Sequence, residues 1–209
     1  VPLAIADIRT PQDEIDLGIA KDSLDRFLDI LTRKYGVPEG TPMVGIFSRR
    51  PVANTLFGRL DWQLGDRHHM TFRNNLSTSD SPNDGVGDQI IAVIESRSSS
   101  KSIDNQSLLS LRSSLSSSVS NELKLGFSLA DRSLTPNTYI PRGFVRVRSK
   151  LPNGTTGDVR LQFGGNRLAP EASGERQYQL INTAYWQHGK QLVTMGVDLE
   201  ARDSHGMSA

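Results

Sequence analysis

Ser128 is the side chain in this sequence that comes nearest to a catalytic nucleophile. It is the central residue of Gly126-Phe-Ser-Leu-Ala130, which approaches the nucleophile-elbow pattern. That motif needs a strand, a sharp turn and a helix, so that the serine is exposed at the turn. Here the alternation of apolar and polar residues continues through Ser128, and no helical pattern follows. We therefore interpret Ser128 as a strand residue on a polar side.

Histidine and aspartate supply the candidate metal ligands. His68 and His69 are adjacent, so on a strand their side chains point to opposite faces and do not easily share an ion. Asp80, Asp84 and Asp88 lack the ligand spacing and central glycine of an EF-hand loop. The chain has no cysteine, which excludes disulfides, thiolate zinc sites and cysteine nucleophiles. We expect no catalytic residue, no cofactor and no metal site, and a protein that is not an enzyme.

Charged side chains recur on one side of several alternating segments. In residues 54–64, for example, Arg59 and Asp61 alternate with Leu60 and Trp62, as in a strand with one polar and one apolar face. The charged residues on such polar sides are Arg59, Asp61, Arg73, Arg112, Glu122, Lys124, Asp198 and Glu200. They line the lumen if the sheet closes into a barrel, and they form the wet face of a soluble antiparallel sheet if it does not. Charge placement alone does not decide between these readings.

Six strands carry these residues, and they form three hairpins. The strands are predicted at about 54–64, 68–76, 106–116, 121–131, 177–187 and 191–201. Turns of a few residues close each hairpin, whereas the connections 77–105 and 132–176 are far longer than the loops of compact domains. A further hairpin is predicted inside the second connection, with arms 144–148 and 158–163 that should be largely wet, on either side of Pro152-Asn-Gly154.

The strict alternation of short and long connections is typical of an outer-membrane barrel. Such barrels have short periplasmic turns, long extracellular loops and strands of roughly ten residues, with lipid on one side and a polar lumen on the other. Trp62 and Trp186 each lie three residues before a turn glycine, Gly65 and Gly189. We expect both at the height of the membrane interface, where aromatic side chains are favoured.

The segments outside the strands also follow a pattern. Residues 1–53 form a loop segment with one helix at about 11–34, since Leu24, Phe27 and Leu31 recur at helical spacing. Gly36 follows the helix, as a C-cap requires. Gln89–Glu95 has the composition of a short strand within the first long connection. Residues 202–209 are predicted to start the next loop.

Composition limits the classes of partner. The net charge is +1, with 24 basic and 23 acidic residues spread through the chain. We therefore expect no basic cluster and no nucleic-acid partner. No apolar run approaches the ~20 residues of a spanning helix. The fold class predicted is all-β and membrane-embedded: part of an antiparallel up-and-down transmembrane barrel with long extracellular loops and one loop helix.

Three stretches resemble a known family, the TonB-dependent outer-membrane receptors of the Oar-like group. Residues 57–74 resemble the family's early barrel hairpin, residues 121–128 its next rising strand, and residues 178–198 its following hairpin. The resemblance implies a barrel of about 22 strands around an N-terminal plug. Roughly six strands are visible, without a recognisable plug or TonB-contacting segment, so the sequence looks like an internal barrel fragment.

The resemblance implies a function in transport. In this reading the chain is part of an importer of the bacterial outer membrane, and its partners are outer-membrane lipid, an unknown large or scarce ligand and the TonB system through the plug. Ligand-binding residues would lie in the long loops and on the upper lumen wall. The alternative is a secreted, soluble β-rich adhesion or carbohydrate-binding module, with its apolar faces packed sheet against sheet.

Overall fold

The fold was obtained as a computed structural model, which describes residues 2–84 and 91–208. The described elements, in chain order, are β1 (Pro2–Ile5), α1 (Pro11–Leu17), α2 (Lys21–Tyr35), β2 (Gly45–Ser48), β3 (Val52–Leu64), β4 (His68–Asp84), β5 (Ile91–Ala92), a 3-10 turn (Ile94–Ser96), β6 (Ser98–Ser114), β7 (Val119–Pro136), β8 (Gly143–Lys150), β9 (Thr156–Phe163), β10 (Glu171–His188) and β11 (Gln191–Ser208).

The six long strands form one antiparallel sheet in which every strand pairs with its neighbours in sequence. The order across the sheet is β3-β4-β6-β7-β10-β11. Short turns join the strands at one end, and the long connections leave from the other. The outer strands β3 and β11 are the two edges, so the sheet is open over the described residues. This up-and-down meander confirms the predicted all-β, antiparallel class.

The strands are longer than the sequence pattern predicts, mainly at the end away from the short turns, and at the short-turn end the bounds agree within two residues. β4 runs to Asp84 where the prediction ends at residue 76, and β6 begins at Ser98 where the prediction begins at residue 106. The prediction that residues 202–209 start a loop is also wrong, because β11 continues to Ser208. These extensions are largely polar and lack the alternation of apolar and polar residues. Outside a bilayer, cross-strand backbone pairing continues without alternating side chains, so hydrophobic periodicity does not mark it.

One face of the sheet carries a row of apolar side chains that runs without interruption across all six strands. Register places six side chains in one row: Leu60, Phe72, Leu109, Leu125, Leu180 and Leu199. The neighbouring row holds Trp62, Met70, Leu111, Leu123, Asn182 and Val197. None of these twelve side chains is buried, and Leu60 is 54% exposed. Apolar side chains presented outward in this way are what a lipid-facing surface requires.

The remaining segments fold together at the end of the sheet opposite the short turns, in a unit here called the cap (residues 2–51, 91–97 and 137–170). Its core joins all three segments, since Met43, Val93 and Leu161 are buried in one cluster with α2 residues. The backbone N–H of Ile94 donates to the carbonyl of Met43 at 2.9 Å, and that of Val93 to Gln162 at 3.2 Å. Within the described ranges, neither helix has the length and apolar content needed to cross a bilayer.

The helix predicted over residues 11–34 is two helices, and the break has a steric cause. Gly18 has a left-handed backbone conformation, with φ of +69°, and ends α1. A Cβ on Gly157 of β9 would lie 2.0 Å from the Gly18 carbonyl oxygen, so the two backbones touch at this point. The Ala20 N–H donates to Ser149 Oγ at 2.9 Å and anchors the start of α2. Helical periodicity cannot show such a contact with a distant strand.

The hairpin predicted inside residues 132–176 is present as β8 and β9, but only one of its faces is wet. Leu161 and Phe163 on the inner face pack against α2, where Phe163 contacts Phe27 at 6.2 Å between ring centroids. β9 also pairs in parallel with the short β5. Of the strand predicted at Gln89–Glu95, only Ile91–Ala92 is a strand, because a 3-10 turn follows at Ile94–Ser96. The first two predicted residues lie outside the described part of the chain.

Candidate functional site

The polar face of the six-stranded sheet gathers the eight charged residues singled out in the sequence. Register places them in three consecutive rows. The first row is Arg59, Arg73, Leu108, Gly126, Gln179 and Glu200; the second is Asp61, Thr71, Ser110, Lys124, Ile181 and Asp198; the third is Gln63, His69, Arg112, Glu122, Thr183 and Gly196. All eight therefore share one face. Their assignment to the lumen of a closed barrel stays a prediction.

Asp61 organises the charges of the first hairpin. It accepts two hydrogen bonds from the Arg59 guanidinium, at 2.8 and 3.0 Å, and one from the Thr71 hydroxyl at 2.7 Å. His69 Nε2 lies 3.5 Å from the same carboxylate. The bidentate contact fixes Arg59 although it faces a second arginine, Arg73, across the strand pair.

Glu122 organises the charges of the second hairpin. Its carboxylate accepts from Arg112 Nε and from Lys124 Nζ, both at 2.9 Å, and its side chain is only 12% exposed. One carboxylate thus lies between two cations and reduces their repulsion, and the group of three keeps one net positive charge.

Replacing Glu122 with glutamine should destabilise the sheet by about 1–2 kcal/mol. Charge-assisted hydrogen bonds to a largely buried carboxylate are lost, and two cations are left adjacent. Glu200→Gln is the matched control, since its carboxylate is exposed and accepts from Arg202 at 3.0 Å, and should cost less than about 0.5 kcal/mol. Urea unfolding of protein folded into lipid vesicles measures both. Equal losses would contradict a special role for Glu122.

A shallow groove of about 430 Å³ lies beside these charges on the same sheet. Arg73 and Gln179 line it, Gly126 leaves a gap in its floor, and Phe57 forms an apolar wall. Within residues 2–84 and 91–208, Arg73 has neither an ion pair nor a side-chain hydrogen bond, whereas the other seven predicted residues each have one. The groove thus offers a guanidinium, several amides and one aromatic ring to an anionic or polar group.

Arg202 and Glu175 are two of the ionic residues of this face that the sequence pattern missed. Arg202 Nε lies 3.4 Å from Glu175, and Arg202 Nη2 lies 3.0 Å from Glu200. Both missed residues belong to stretches predicted as loops. The signal that identifies them is the continued i, i+2 spacing of Asp198, Glu200 and Arg202 beyond the last apolar residue of the strand.

The other chemical candidates are strand residues. Ser128 is paired with Gln106 and Gln177 in the middle of β7, so the turn of a nucleophile elbow is absent at that point. His68 donates to or accepts from Ser113 Oγ at 2.9 Å, on the face opposite His69. No group of three or more potential metal-ligating side chains occurs in the part of the chain that the structure describes. Asp88 lies outside that part.

Trp62 and Trp186 lie on the apolar face, 41% and 44% exposed. The row through Trp62 reaches β10 at Asn182, and Trp186 lies four residues beyond it toward the turn. Strands of a barrel tilt by about 35–45°, so residues at one membrane height do not lie in one hydrogen-bonded row. Over four strand spacings of about 4.8 Å, residues at the same height are displaced along the strands by roughly 13–19 Å, or about four to six residues. The observed offset agrees with one common height for both rings. Their place at the interface stays a prediction.

Polar side chains pair with one another at the junction of cap and sheet. Arg49 pairs with Asp84 at 2.7 Å, and the Asn137 amide donates to Asn83 Oδ1 at 2.9 Å. Burial raises the pKa of the Glu95 carboxyl, although a hydrogen bond to the Gly164 backbone opposes the shift. Glu95 Oε1 is buried with no hydrogen-bond partner in the described structure. Folding of the cap therefore shifts the protonation equilibrium of Glu95 toward the neutral acid.

Cap stability should therefore rise as the pH falls. Because the folded pKa of Glu95 lies above its ordinary value of 4.5, the folded cap binds the proton more tightly, and stability is lost as the pH rises through the folded pKa. Glu95→Gln should remove this dependence and stabilise the cap at pH 7 by about 1 kcal/mol. Hydrogen exchange of the α2 amides measures the effect, with exposed Glu39→Gln as the control. Faster exchange in Glu95→Gln at pH 7 would contradict the assignment.

The comparison with known protein families agrees with this geometry. Residues 36–208 match the family model described as an outer membrane beta barrel domain. The match spans all six long strands and the second and third segments of the cap. Neither the curated proteins nor the solved structures contain a match to the chain. The chain therefore belongs to the outer membrane beta barrel domain family, and its place is the bacterial outer membrane.

Proposed function

We propose that the chain forms part of the barrel of a TonB-dependent transporter of the Oar-like group, which takes up a large or scarce ligand across the outer membrane. The observation that carries the proposal is the polar face. Its three rows hold paired charges, and the opposite face of the same sheet carries the uninterrupted apolar row. In a closed barrel such a face encloses a water-accessible interior. It binds and positions its occupants, and no bond is made or broken there.

The groove around Arg73 supports a lumen with an occupant. A guanidinium without an ionic partner in the described chain, set among glutamine and serine side chains, suits a carboxylate on a plug or a ligand. The other seven charged side chains already have partners within the face, which leaves the Arg73 guanidinium as the main charged contact for an occupant. The proposed partners are therefore the plug, the TonB system acting through it, the ligand and the surrounding lipid.

Uptake by living cells tests the proposal and identifies the ligand. Mass spectrometry follows the loss of compounds from a complex medium in three strains: the parent, one lacking this protein and one lacking TonB. We expect one compound class to persist in the medium of both deletion strains and to disappear from that of the parent. Identical depletion by all three strains would contradict TonB-dependent transport.

Two variants test the groove in the same assay. Arg73→Gln should reduce uptake of that compound class by about tenfold, since one charge-assisted contact of about 1.5 kcal/mol is lost. Arg202→Gln removes an arginine from the same face outside the groove and should leave uptake within about twofold, a change below about 0.5 kcal/mol. Equal uptake by both variants would argue against an occupant at Arg73.

The soluble-module alternative receives no support from the apolar face. It requires sheet-on-sheet packing, which would bury Leu60, Trp62 and Leu125. These side chains are 54%, 41% and 41% exposed, respectively. Their exposure favours the membrane barrel, in which lipid covers them.

A further inference from the structure

The outer surface of the β8–β9 hairpin in the cap concentrates positive charge, against the sequence expectation that basic residues form no cluster. Because side chains alternate along a strand, every second residue of β8 and β9 points away from α2. This surface, here called the basic face, consists of Arg142, Phe144, Arg146, Arg148, Lys150, Asp158 and Arg160, all exposed. It holds five cations and one carboxylate, whereas the whole chain has a net charge of +1.

The internal pairing of the basic face leaves most of its charge available. Arg146 and Arg148 both contact Asp158, at 2.6 and 2.9 Å. These contacts hold the pKa of Asp158 at about 2, so the carboxylate is ionised at neutral pH. For Arg142, Lys150 and Arg160, the described residues provide no ion-pair partner. Three cations without an ion-pair partner therefore lie beside a group of two arginines and one aspartate, which itself keeps one net positive charge.

Phe144 gives the basic face one apolar ring, which lies between two of these cations. The Arg142 guanidinium lies 4.3 Å from the Phe144 ring centroid, and that of Arg160 lies 5.9 Å away. Cation–π contact orients both guanidinium groups beside the ring. Arg142, Arg146, Arg148 and Lys150 follow the extended course of β8, in which alternate residues are about 6.6 Å apart. The result is a flat, linear array of donors with an exposed aromatic ring at one end.

We infer that the basic face binds an extended anionic polysaccharide outside the cell. Guanidinium groups recognise carboxylates and phosphates through paired hydrogen bonds, and a sugar ring can pack its apolar side on Phe144. The cap lies at the end of the sheet away from the short turns, which is the extracellular end in barrels of this type. An extracellular polymer of acidic sugars has both the charge and the linear shape of this array. This binding surface is separate from the polar face of the sheet and does not depend on transport.

Binding of polygalacturonate to the full chain, folded into zwitterionic lipid nanodiscs, tests the inference. The variant Arg142→Gln/Lys150→Gln/Arg160→Gln should bind at least about tenfold more weakly. The slope of log affinity against log salt concentration should also be smaller in magnitude by about two. The control Arg26→Gln/Lys34→Gln/Arg167→Gln removes three exposed cations elsewhere in the cap, with the same change in net charge, and should bind within about twofold of the parent. Equal weakening of both variants would overturn the inference.

Three further comparisons test whether the basic face recognises charge on a polysaccharide. Arg142→Lys/Arg160→Lys keeps the charge and should retain most of the binding, so a loss as large as that of the glutamine variant would count against recognition of charge. Fully methyl-esterified polygalacturonate should not bind, and binding equal to that of the acid form would overturn the inference. Tighter binding of single-stranded DNA, or binding of anionic vesicles without binding of polygalacturonate, would reject a polysaccharide occupant. Unchanged hydrogen exchange in the cap verifies that each variant is folded.

Discussion

Leu180→Arg is expected to destabilise the protein in a bilayer by about 2–4 kcal/mol, the cost of a cation facing lipid near the midplane of a barrel. Leu180 lies in the uninterrupted apolar row, between Leu125 and Leu199. It is six residues, about 20 Å along the strand, from Trp186, which puts it near the middle of the apolar band if Trp186 marks the interface. Urea titration of protein folded into phospholipid vesicles measures the loss.

Ile181→Arg is the matched control for this effect. Ile181 is the next residue on β10, undergoes the same change of side chain, and faces the polar side between Lys124 and Asp198. Asp198 can pair with the new guanidinium, so we expect a cost below about 1 kcal/mol. Similar costs for the two variants would show that the two faces of the sheet do not meet different solvents, and the assignment of the lipid-facing side would be wrong.

Leu161→Ala is expected to destabilise the cap by about 2–5 kcal/mol while leaving the six-stranded sheet intact. Leu161 is 0% exposed and belongs to the cluster that joins the three segments of the cap. Truncation of such a side chain loses transfer free energy and leaves a cavity. Hydrogen exchange resolved by residue should show faster exchange for α2 and β9 and unchanged exchange for β7 and β10.

Val145→Ala serves as the control for Leu161→Ala. Val145 is the cross-strand partner of Leu161 on β8 but is 39% exposed, so its truncation should cost less than about 1 kcal/mol. Acceleration of exchange throughout the sheet in Leu161→Ala would contradict the view that the cap has a core of its own. So would an effect of Val145→Ala as large as that of Leu161→Ala.

The sequence predicts the membrane-spanning part of the fold well because lipid imposes a strict rule on it. Leu60, Leu125 and Leu199 had to alternate with polar residues, since one side of each strand meets hydrocarbon and the other does not. The same rule brought the eight charged residues onto one face. Where that constraint ends, the prediction fails. Arg202 and Glu175 lie in the end segments of β11 and β10, beyond the apolar row, where the side chains no longer alternate between apolar and polar.

The cap was beyond sequence reasoning for a different reason. Its core is assembled from segments that are far apart in the chain. The helical spacing of Leu24, Phe27 and Leu31 predicts a helix but does not show which distant segments pack against it. Val93 and Leu161 are buried because the sheet brings their segments together. The helix break at Gly18 likewise depends on Gly157, a partner that only the folded chain supplies. The basic face was overlooked because Arg160 joins the arginines of β8 only through the pairing of β8 with β9.

The core of the cap is built from three chain segments, so the cap can assemble only when the strands of the sheet pair in the native register. Met43, Val93 and Leu161 can meet only when the strand ends that carry their segments are already aligned. Most of the conformational entropy lost in closing these long loops is therefore lost when the hairpins form. A hairpin that slips by two residues keeps its side chains on the correct faces but displaces one cap segment by about 6.6 Å. Hairpin packing within the sheet tolerates such an error, whereas the buried cluster does not. Completion of the cap should therefore be a late folding event that selects the native alignment from otherwise equivalent ones.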